Sequence, residues 1–198
     1  MVATHAVEHR APGRDDDALI ARVALRDAEA FRVLVDAHGR VPHRVAWRMI
    51  GDASEAEDLA QEALLRLWYH APRWRGGGSG VAAWLTRVAV NLSLDRLRRR
   101  RFASDAEPPE RADETPLADA LIEREHVAEA TRAAIAALPD RQRAAIVLTY
   151  YEDLSNSGAA TMLDMNIKAF ESLLLRARRA LADDLRARGI HGVEGNTA

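Results

Sequence analysis

The stretch WLTRVAVNLSLDRLRRRR, residues 84–101, decides the fold because it has the pattern of one long amphipathic helix. Apolar residues recur at helical spacing and are predicted to face a core: Val81, Trp84, Leu85, Val88, Ala89 and Leu92. A polar row falls on another face: Arg87, Asn91, Asp95 and Arg98. Asparagine offers donors and acceptors to a base edge and arginine pairs with phosphate or guanine, so the row favours nucleic acid as a ligand. A solvated face, with Asp95 pairing to Arg98 and Arg99 one turn on, fits the same pattern.

The composition predicts an all-α protein. Of the 198 residues, 48% are hydrophobic, 29% are charged and only 5% are aromatic, and alanine, leucine, arginine and glutamate favour helix. The chain has no cysteine, which excludes disulfides and thiolate chemistry. The first residues lack the apolar core of a signal peptide, and no apolar run is long enough to span a bilayer. We therefore expect a cytoplasmic protein without membrane insertion.

Charge is strongly segregated along the chain, although the net charge is only −2. Residues 84–101 carry six arginines and one aspartate, whereas residues 104–125 carry eight acids and two arginines. Pro108, Pro109 and Pro116 interrupt any helix in the acidic stretch. This stretch is predicted to be a flexible linker between two small helical domains, and a near-neutral total does not exclude DNA binding.

The first domain is predicted to contain four helices. Asp15 to Asp17 can cap a helix that ends near Gly39, and a short helix follows from Val41 to Ile50. Ser54, with Glu57 three residues later, has the signature of a capping box for a third helix with an acidic outer face. Pro72 ends that helix, and a glycine-rich loop at residues 73–80 leads into the fourth.

The second domain is predicted to contain several short helices followed by a long one. One helix ends at Leu138, Pro139 and Asp140 begin the next, and Ser155 caps a third. After a turn at residues 163–165, the last helix has an apolar stripe: Ile167, Phe170, Leu173, Leu174, Ala177 and Leu181. Its basic residues lie outside this stripe, which is typical of a helix-turn-helix but also of a plain helical hairpin.

Several motifs in order give the chain a family resemblance. EAEDLAQEALLRLW, a glycine-rich loop, AWLTRVAVNLSLDRLRRRR, an acidic linker, LPDRQRAAIVLTYYEDLS and LLRARRAL follow one another between about residues 15 and 187. This order resembles the extracytoplasmic-function (ECF) group of bacterial RNA polymerase sigma factors. The resemblance implies a disordered tail (1–14), sigma region 2 (15–101), a linker (102–119), sigma region 4 (120–188) and a second disordered tail (189–198).

The resemblance also implies where each partner binds. Core RNA polymerase would contact Asp58, Gln61 and Glu62 on the acidic helix. The minus-ten promoter element would contact the glycine-rich loop and the helix after it, through Arg73, Trp74, Arg75, Asn91, Arg98 and Arg99, with the block from Arg98 to Arg101 following phosphates. Trp84 is expected to anchor the core. The minus-thirty-five element would contact Lys168, Glu171, Ser172, Arg176 and Arg178.

The second domain departs from the family pattern at several positions. Gly158 and Ala159 stand where the family commonly has an acidic and a β-branched residue, and Asp164 stands where its turn usually has glycine. Glu171 and Leu173 align with frequent lysines and arginines on the DNA side. A carboxylate repels phosphate but accepts a hydrogen bond from cytosine, so altered minus-thirty-five specificity is expected.

The resemblance implies a transcription initiation factor and not an enzyme. We expect no catalytic residues and no cofactor, and the scattered histidines predict no metal site. The expected partners are core RNA polymerase, promoter DNA and an anti-sigma factor, and the free chain is expected to be a monomer. Two alternatives are a sigma-like decoy that binds an anti-sigma factor without reading promoters, and a dimeric helix-turn-helix regulator that binds operators without polymerase.

Overall fold

The computed structural model describes residues 14–76, 78–103 and 120–190, and these ranges contain helices but no strands. In chain order the helices are α1 (Arg14–Ala24), α2 (Ala28–His38), α3 (Arg40–Ile50), α4 (Ala53–His70), α5 (Gly80–Ala103), α6 (Ala120–Ala137), α7 (Asp140–Ile146), α8 (Asn156–Met162) and α9 (Ile167–Ala187). A 3-10 turn spans Ala71–Arg73, and a π-helical segment spans Val147–Tyr151. The predicted all-α class is confirmed.

Two predicted domain boundaries shift because the helices there extend beyond the predicted limits. Arg14 begins α1, although it was assigned to the N-terminal tail, and α5 continues to Ala103, two residues into the predicted linker. Residues 104–119, which carry most of the acidic stretch, lie outside the described residues, as do residues 1–13 and 191–198 of the two tails.

Helix α5 is the centre of the first domain, where it packs against α3 and α4. The predicted stripe is confirmed, since Val81, Leu85 and Ala89 are fully buried and Leu92 is nearly so. The hydroxyl of Ser93 is also buried, and it donates to the carbonyl of Ala89 at 2.8 Å. That bond satisfies the one polar group of Ser93 inside the core.

The predicted single helix before Gly39 is wrong, because the chain turns between α1 and α2. Arg26 takes a left-handed φ of 68°, which a helix cannot accommodate. The Asp27 carboxylate then caps α2 by accepting hydrogen bonds from the backbone N–H groups of Glu29 and Ala30, at 3.0 and 3.1 Å. The turn lets Val23 of α1 and Leu34 of α2, both fully buried, face the same core.

The predicted capping box at Ser54 is also wrong. Gly51 ends α3 in a left-handed conformation with φ of 77°, and the residue after it caps the next helix. The Asp52 carboxylate accepts a hydrogen bond from the Glu55 N–H at 2.9 Å, so α4 begins at Ala53. Aspartate is as good a cap as serine and lies closer to the turn.

The second domain is built around α7, the π-helical segment and α9. Phe170 and Leu148 are fully buried in its core. The predicted helix start at Pro139 and Asp140 and the predicted cap at Ser155 are confirmed. Ile167 was predicted to belong to the apolar stripe of α9, but it is 40% exposed. As the first residue of α9 it lies at the end of the packed region, where the core does not reach.

The two domains contact each other through α3. The Glu152 side chain is only 5% exposed and receives Arg44 at 2.5 Å and Arg48 at 3.4 Å. The hydrogen bond to Glu152 raises the pKa of the Arg44 guanidinium above its ordinary value. Arg48 also lies over the Tyr151 ring, 4.4 Å from its centroid. These contacts join helices that are about a hundred residues apart in the chain, and no sequence pattern predicted them.

Arg143 is buried at the same domain boundary. Its guanidinium donates to the Met49 carbonyl of α3 at 2.5 Å, and to the Ala136 and Leu138 carbonyls of its own domain. Burial lowers the pKa of this guanidinium from its ordinary value, but arginine keeps its charge in proteins. A buried cation therefore holds carbonyl groups at the ends of α3 and α6 together.

Candidate nucleic-acid and polymerase interfaces

Three aromatic rings line an open pocket before the start of α5. The centroids of Trp74 and Trp84 are 6.1 Å apart with ring planes at 63°, and the His70 ring stacks on Trp84 at 5.2 Å. The pocket has a volume of about 300 Å³, and Arg73 and Arg75 belong to its walls. Unstacked bases bind to aromatic faces, and guanidinium groups bind the adjoining phosphates. We call this the tryptophan pocket.

The pocket forms because a short loop joins α4 to α5. Pro72 lies in the 3-10 turn that follows α4, and Gly80 takes a φ of 81° where α5 begins, a conformation that glycine adopts without strain. The sequence-predicted Arg73, Trp74 and Arg75 are thereby brought to one place. Trp74 is half-buried, while the two arginines are exposed.

Trp84 has two roles in this geometry. It was predicted to anchor the core, and its half-buried ring does pack against the core of the first domain. The same ring also forms a wall of the tryptophan pocket. One side chain therefore connects the packing of α5 to the shape of the pocket.

The outer face of α5 carries the predicted polar row. Asn91 is exposed, and Arg98 is exposed and paired with Asp95 at 2.6 Å. The turn-spaced pair expected for a solvated face is thus present beside an accessible asparagine amide. Arg87 reaches across to Asp164 of the second domain at 2.8 Å, an ion pair that is largely exposed and therefore weak.

The basic block at the end of α5 is less available to phosphate than the sequence suggested. Arg100 and Arg96 both pair with Glu55 of α4, and Arg101 pairs with Asp140 of α7. Glu55 thus neutralises part of the block and ties α4 to α5. All four arginines of the block are exposed, including the minus-ten candidates Arg98 and Arg99.

Helices α8 and α9 present the second predicted surface. The turn between them places Asp164 at a φ of 50°, which explains why a glycine is usual there and why aspartate, which tolerates this region, can replace it. Four of the candidates on α9 are exposed and Arg178 is half-buried; the exposed ones are Lys168, Glu171, Ser172 and Arg176.

Leu173 does not belong to this surface. It was aligned with DNA-facing basic residues, but its side chain is 7% exposed and packs in the core of the second domain. The helical repeat explains this, since Leu173 lies three residues after the fully buried Phe170 and four before the fully buried Ala177. Only Glu171 remains as an unusual residue on the exposed face of α9.

The acidic helix α4 exposes the third predicted surface. Asp58, Gln61 and Glu62 are all exposed. Gln61 donates weakly to Glu57 at 3.5 Å, and Glu62 pairs with Arg66 at 2.5 Å. Two apolar side chains continue the same face, because Leu65 is 55% exposed and Tyr69 is 65% exposed. The surface therefore combines acidic and apolar groups, which suits a basic partner with an apolar patch.

Sequence reasoning missed one residue in the wall of the tryptophan pocket and one residue behind it. His70 lies at the end of α4 and stacks on Trp84; its position four residues before Trp74 was the available signal. Asp17 of α1 accepts a hydrogen bond from the Trp74 indole at 3.0 Å. No local pattern connects residues that are 57 positions apart, so this contact required the structure.

Comparisons with known proteins agree with both halves of the structure. Residues 34–103 match the family model of Sigma-70 region 2, and residues 128–181 match that of Sigma-70, region 4. The chain is 30% identical over 179 residues to the ECF RNA polymerase sigma factor SigW of Bacillus subtilis (strain 168), a match that covers 84% of this chain and 95% of SigW.

Two solved structures have a similar fold. CnrH, solved in complex with the cytosolic domain of CnrY, is 25% identical with a TM-score of 0.62, covering 87% of this chain and 98% of CnrH. RpoE from Bartonella quintana, solved with the anti-sigma factor NepR, is 24% identical with a TM-score of 0.62, covering 79% of this chain and 96% of RpoE. Among the helices that the structure describes, none is suited to crossing a membrane.

Proposed function

Since the chain belongs to the ECF RNA polymerase sigma factors, which are transcription initiation factors and not enzymes, we propose that its two helical domains share promoter recognition. The domain of helices α1 to α5 acts as region 2, residues 104–119 act as the linker, and the domain of helices α6 to α9 acts as region 4. The observation that supports this division best is the tryptophan pocket at the head of a helix whose outer face exposes Asn91.

The tryptophan pocket is proposed to capture an unpaired base of the minus-ten element. Trp74 stacks on the base, while Arg73 and Arg75 neutralise the adjoining phosphates. Asn91, Arg98 and Arg99 extend the same surface along α5, where the asparagine amide can read a base edge. Capture of a flipped base stabilises the melted duplex, so binding energy alone promotes opening.

Helix α9 is proposed to read the minus-thirty-five element from the major groove. Lys168, Arg176 and Arg178 contact phosphates or guanines, and Ser172 and Glu171 face base edges. Glu171 is expected to accept a hydrogen bond from a cytosine N4 amine. Glu171→Ala should then relax specificity at one base pair, because the free-energy difference between the correct and a wrong base falls by about 1–3 kcal/mol.

Core RNA polymerase is proposed to bind the exposed face of α4 through Asp58, Gln61 and Glu62. Leu65 and Tyr69 would supply apolar contact at the end of that face. An anti-sigma factor is proposed as the third partner, as RpoE was solved with NepR.

Transcription with purified core polymerase tests the proposal directly. The chain should give run-off transcripts from a subset of promoters of its native host, and Trp74→Ala should weaken binding of an unpaired minus-ten strand by about five- to a hundredfold. Arg75→Ala should also weaken this binding, because it removes a charge beside the phosphates, whereas Arg40→Ala, which removes an exposed arginine on another surface, should not. Absence of transcripts from every host template would contradict the proposal.

A sigma-like decoy is the second candidate, and Glu171 on the exposed face of α9 is the observation that favours it. A decoy would bind an anti-sigma factor but show no sequence-dependent promoter binding with core polymerase. A salt series separates the two functions, because promoter binding by a true sigma factor weakens steeply with salt. The dimeric regulator would instead elute as a dimer in size-exclusion chromatography, whereas we expect a monomer.

A further inference from the structure

The Asp17 carboxylate is the side chain that links the first helix to the tryptophan pocket. The Trp74 Nε1–H donates to Asp17 Oδ1 at 3.0 Å. Asp17 is not a wall of the pocket, so it does not meet a captured base. Asp17 instead contacts the indole N–H of Trp74, the residue that is proposed to stack on the base.

The second oxygen of the same carboxylate lies against the glycine-rich loop. A Cβ placed on Gly76 would lie 2.9 Å from Asp17 Oδ2 and 3.3 Å from Asp17 Cγ, which is closer than a Cβ normally approaches. A side chain at position 76 would require the carboxylate to shift. The two oxygens therefore lie close to the loop at two points, Trp74 and Gly76.

Helix α1 gives Asp17 a fixed platform. Ile20 and Val23, one and two turns further along, are buried in the domain core. The neighbouring carboxylate of Asp16 lies 3.0 Å from His38 Nε2 of α2. The first turn of α1 thus lies against α2 while Asp17 reaches toward the loop.

We propose that Asp17 is a positioning residue that keeps the tryptophan pocket open before a base arrives. Without the hydrogen bond, the Trp74 indole is free to rotate toward Trp84 and His70 and to fill the space that they enclose. A base would then have to displace the ring, and ordering one large side chain on binding lowers affinity by a factor of about three to ten. The inference rests on the proposed capture of a minus-ten base by this pocket.

The test uses holoenzyme assembled from core polymerase and the full-length chain, with fork-junction DNA whose minus-ten strand is unpaired and carries 2-aminopurine. Fluorescence reports base capture, and titration gives the affinity. Asp17→Ala should weaken capture by about three- to tenfold. Asp17→Asn keeps an acceptor oxygen and should restore capture to within about twofold of the original chain.

A double-mutant cycle identifies the partner. Trp74→Phe keeps an aromatic face but removes the indole donor, so Asp17→Ala should have no further effect in that background. Binding of a duplex that contains only the minus-thirty-five element should not change in any of these variants. Asp36→Ala, which removes an exposed aspartate of α2, should leave base capture unchanged, and thermal midpoints check that each variant is folded.

The outcomes separate this inference from the proposed function. Loss of capture in Trp74→Ala with normal capture in Asp17→Ala would overturn the role of Asp17 and leave the pocket intact as a binding site. Additive effects of Asp17→Ala and Trp74→Phe would overturn it equally. Normal capture in Trp74→Ala would instead overturn the pocket as the minus-ten site.

Discussion

Asp27 shows how a single carboxylate sets a helix boundary. Hydrogen bonds from the Ala30 N–H and then from the Arg22 guanidinium lower the pKa of Asp27 below its ordinary value of 3.8. The folded state therefore binds this proton less readily than the unfolded state. The stabilisation is complete above the ordinary pKa and is lost as the pH falls through the lower, folded-state value.

We expect Asp27→Ala to lower the urea midpoint at pH 7, because α2 loses its cap. The difference from the original chain should shrink as the pH falls below 3.8, since protonated Asp27 no longer accepts these bonds fully. Urea titrations at several pH values measure this. Asp58→Ala, at an exposed position without a capping bond, is the control. A difference that grows at low pH would contradict the assignment.

Leu173 and Leu175 offer a matched pair on one helix. Leu173 is 7% exposed and Leu175 is 48% exposed. We expect Leu173→Ala to lower the free energy of unfolding by about 2–5 kcal/mol, and Leu175→Ala by about 0.5 kcal/mol or less. Chemical denaturation gives both values. Equal effects would mean that Leu173 does not belong to the core.

At the scale of the element, α9 combines a buried stripe with an exposed row of charges. Arg176→Ala should weaken promoter binding at all sequences and reduce the salt slope by about one, as expected for one lost phosphate contact. Arg186→Ala is the control, because Arg186 lies in the last turn and pairs with Asp183 at 2.7 Å. Salt titrations of holoenzyme on promoter DNA measure the slopes. An unchanged slope in Arg176→Ala would remove it from the DNA interface.

Helix α5 was predictable from the sequence because its signals are local. The buried positions and the exposed row recur at the helical period within one segment, and the structure places both as expected. The break between α1 and α2 was not predictable in this way. Arg26 is neither glycine nor proline, and its left-handed φ is stabilised by the cap at Asp27 and by packing across the turn.

The tryptophan pocket was predicted only in part for the same reason. Arg73, Trp74 and Arg75 are consecutive residues in a glycine-rich loop, so their closeness follows from the sequence alone. His70 and Asp17 complete the site through tertiary contacts. The ion pairs between the domains could not be predicted for the same reason. Many arginines and glutamates in the sequence could pair, and only the fold determines which of them meet.

At the scale of the whole molecule, the two domains are held in contact through α3. The centres of the minus-ten and minus-thirty-five elements are about 25 base pairs apart, or about 85 Å at 3.4 Å per base pair. A compact chain of this length has a radius of gyration of about 16 Å. If each domain binds one element, as proposed, we expect the contacts of α3 with Glu152 and Arg143 to break before both elements are bound.

Glu152→Gln should loosen this closed arrangement, because Arg44 and Arg48 lose the charge that they share. We expect the radius of gyration from small-angle X-ray scattering to rise by about 2 Å or more above the compact value. Glu29→Gln, which breaks an exposed pair within α2, should leave it unchanged. Equal radii for the two variants at low and high salt would show that Glu152 does not hold the domains together.

The exposed face of α4 lies apart from these interdomain contacts, and this has a consequence for timing. Under the proposed function, core RNA polymerase can bind this face while the two domains are still in contact, so we expect loading onto polymerase to precede any reading of a promoter. Copies without polymerase would then leave start sites vacant, and each occupied site would already carry the polymerase that transcribes it.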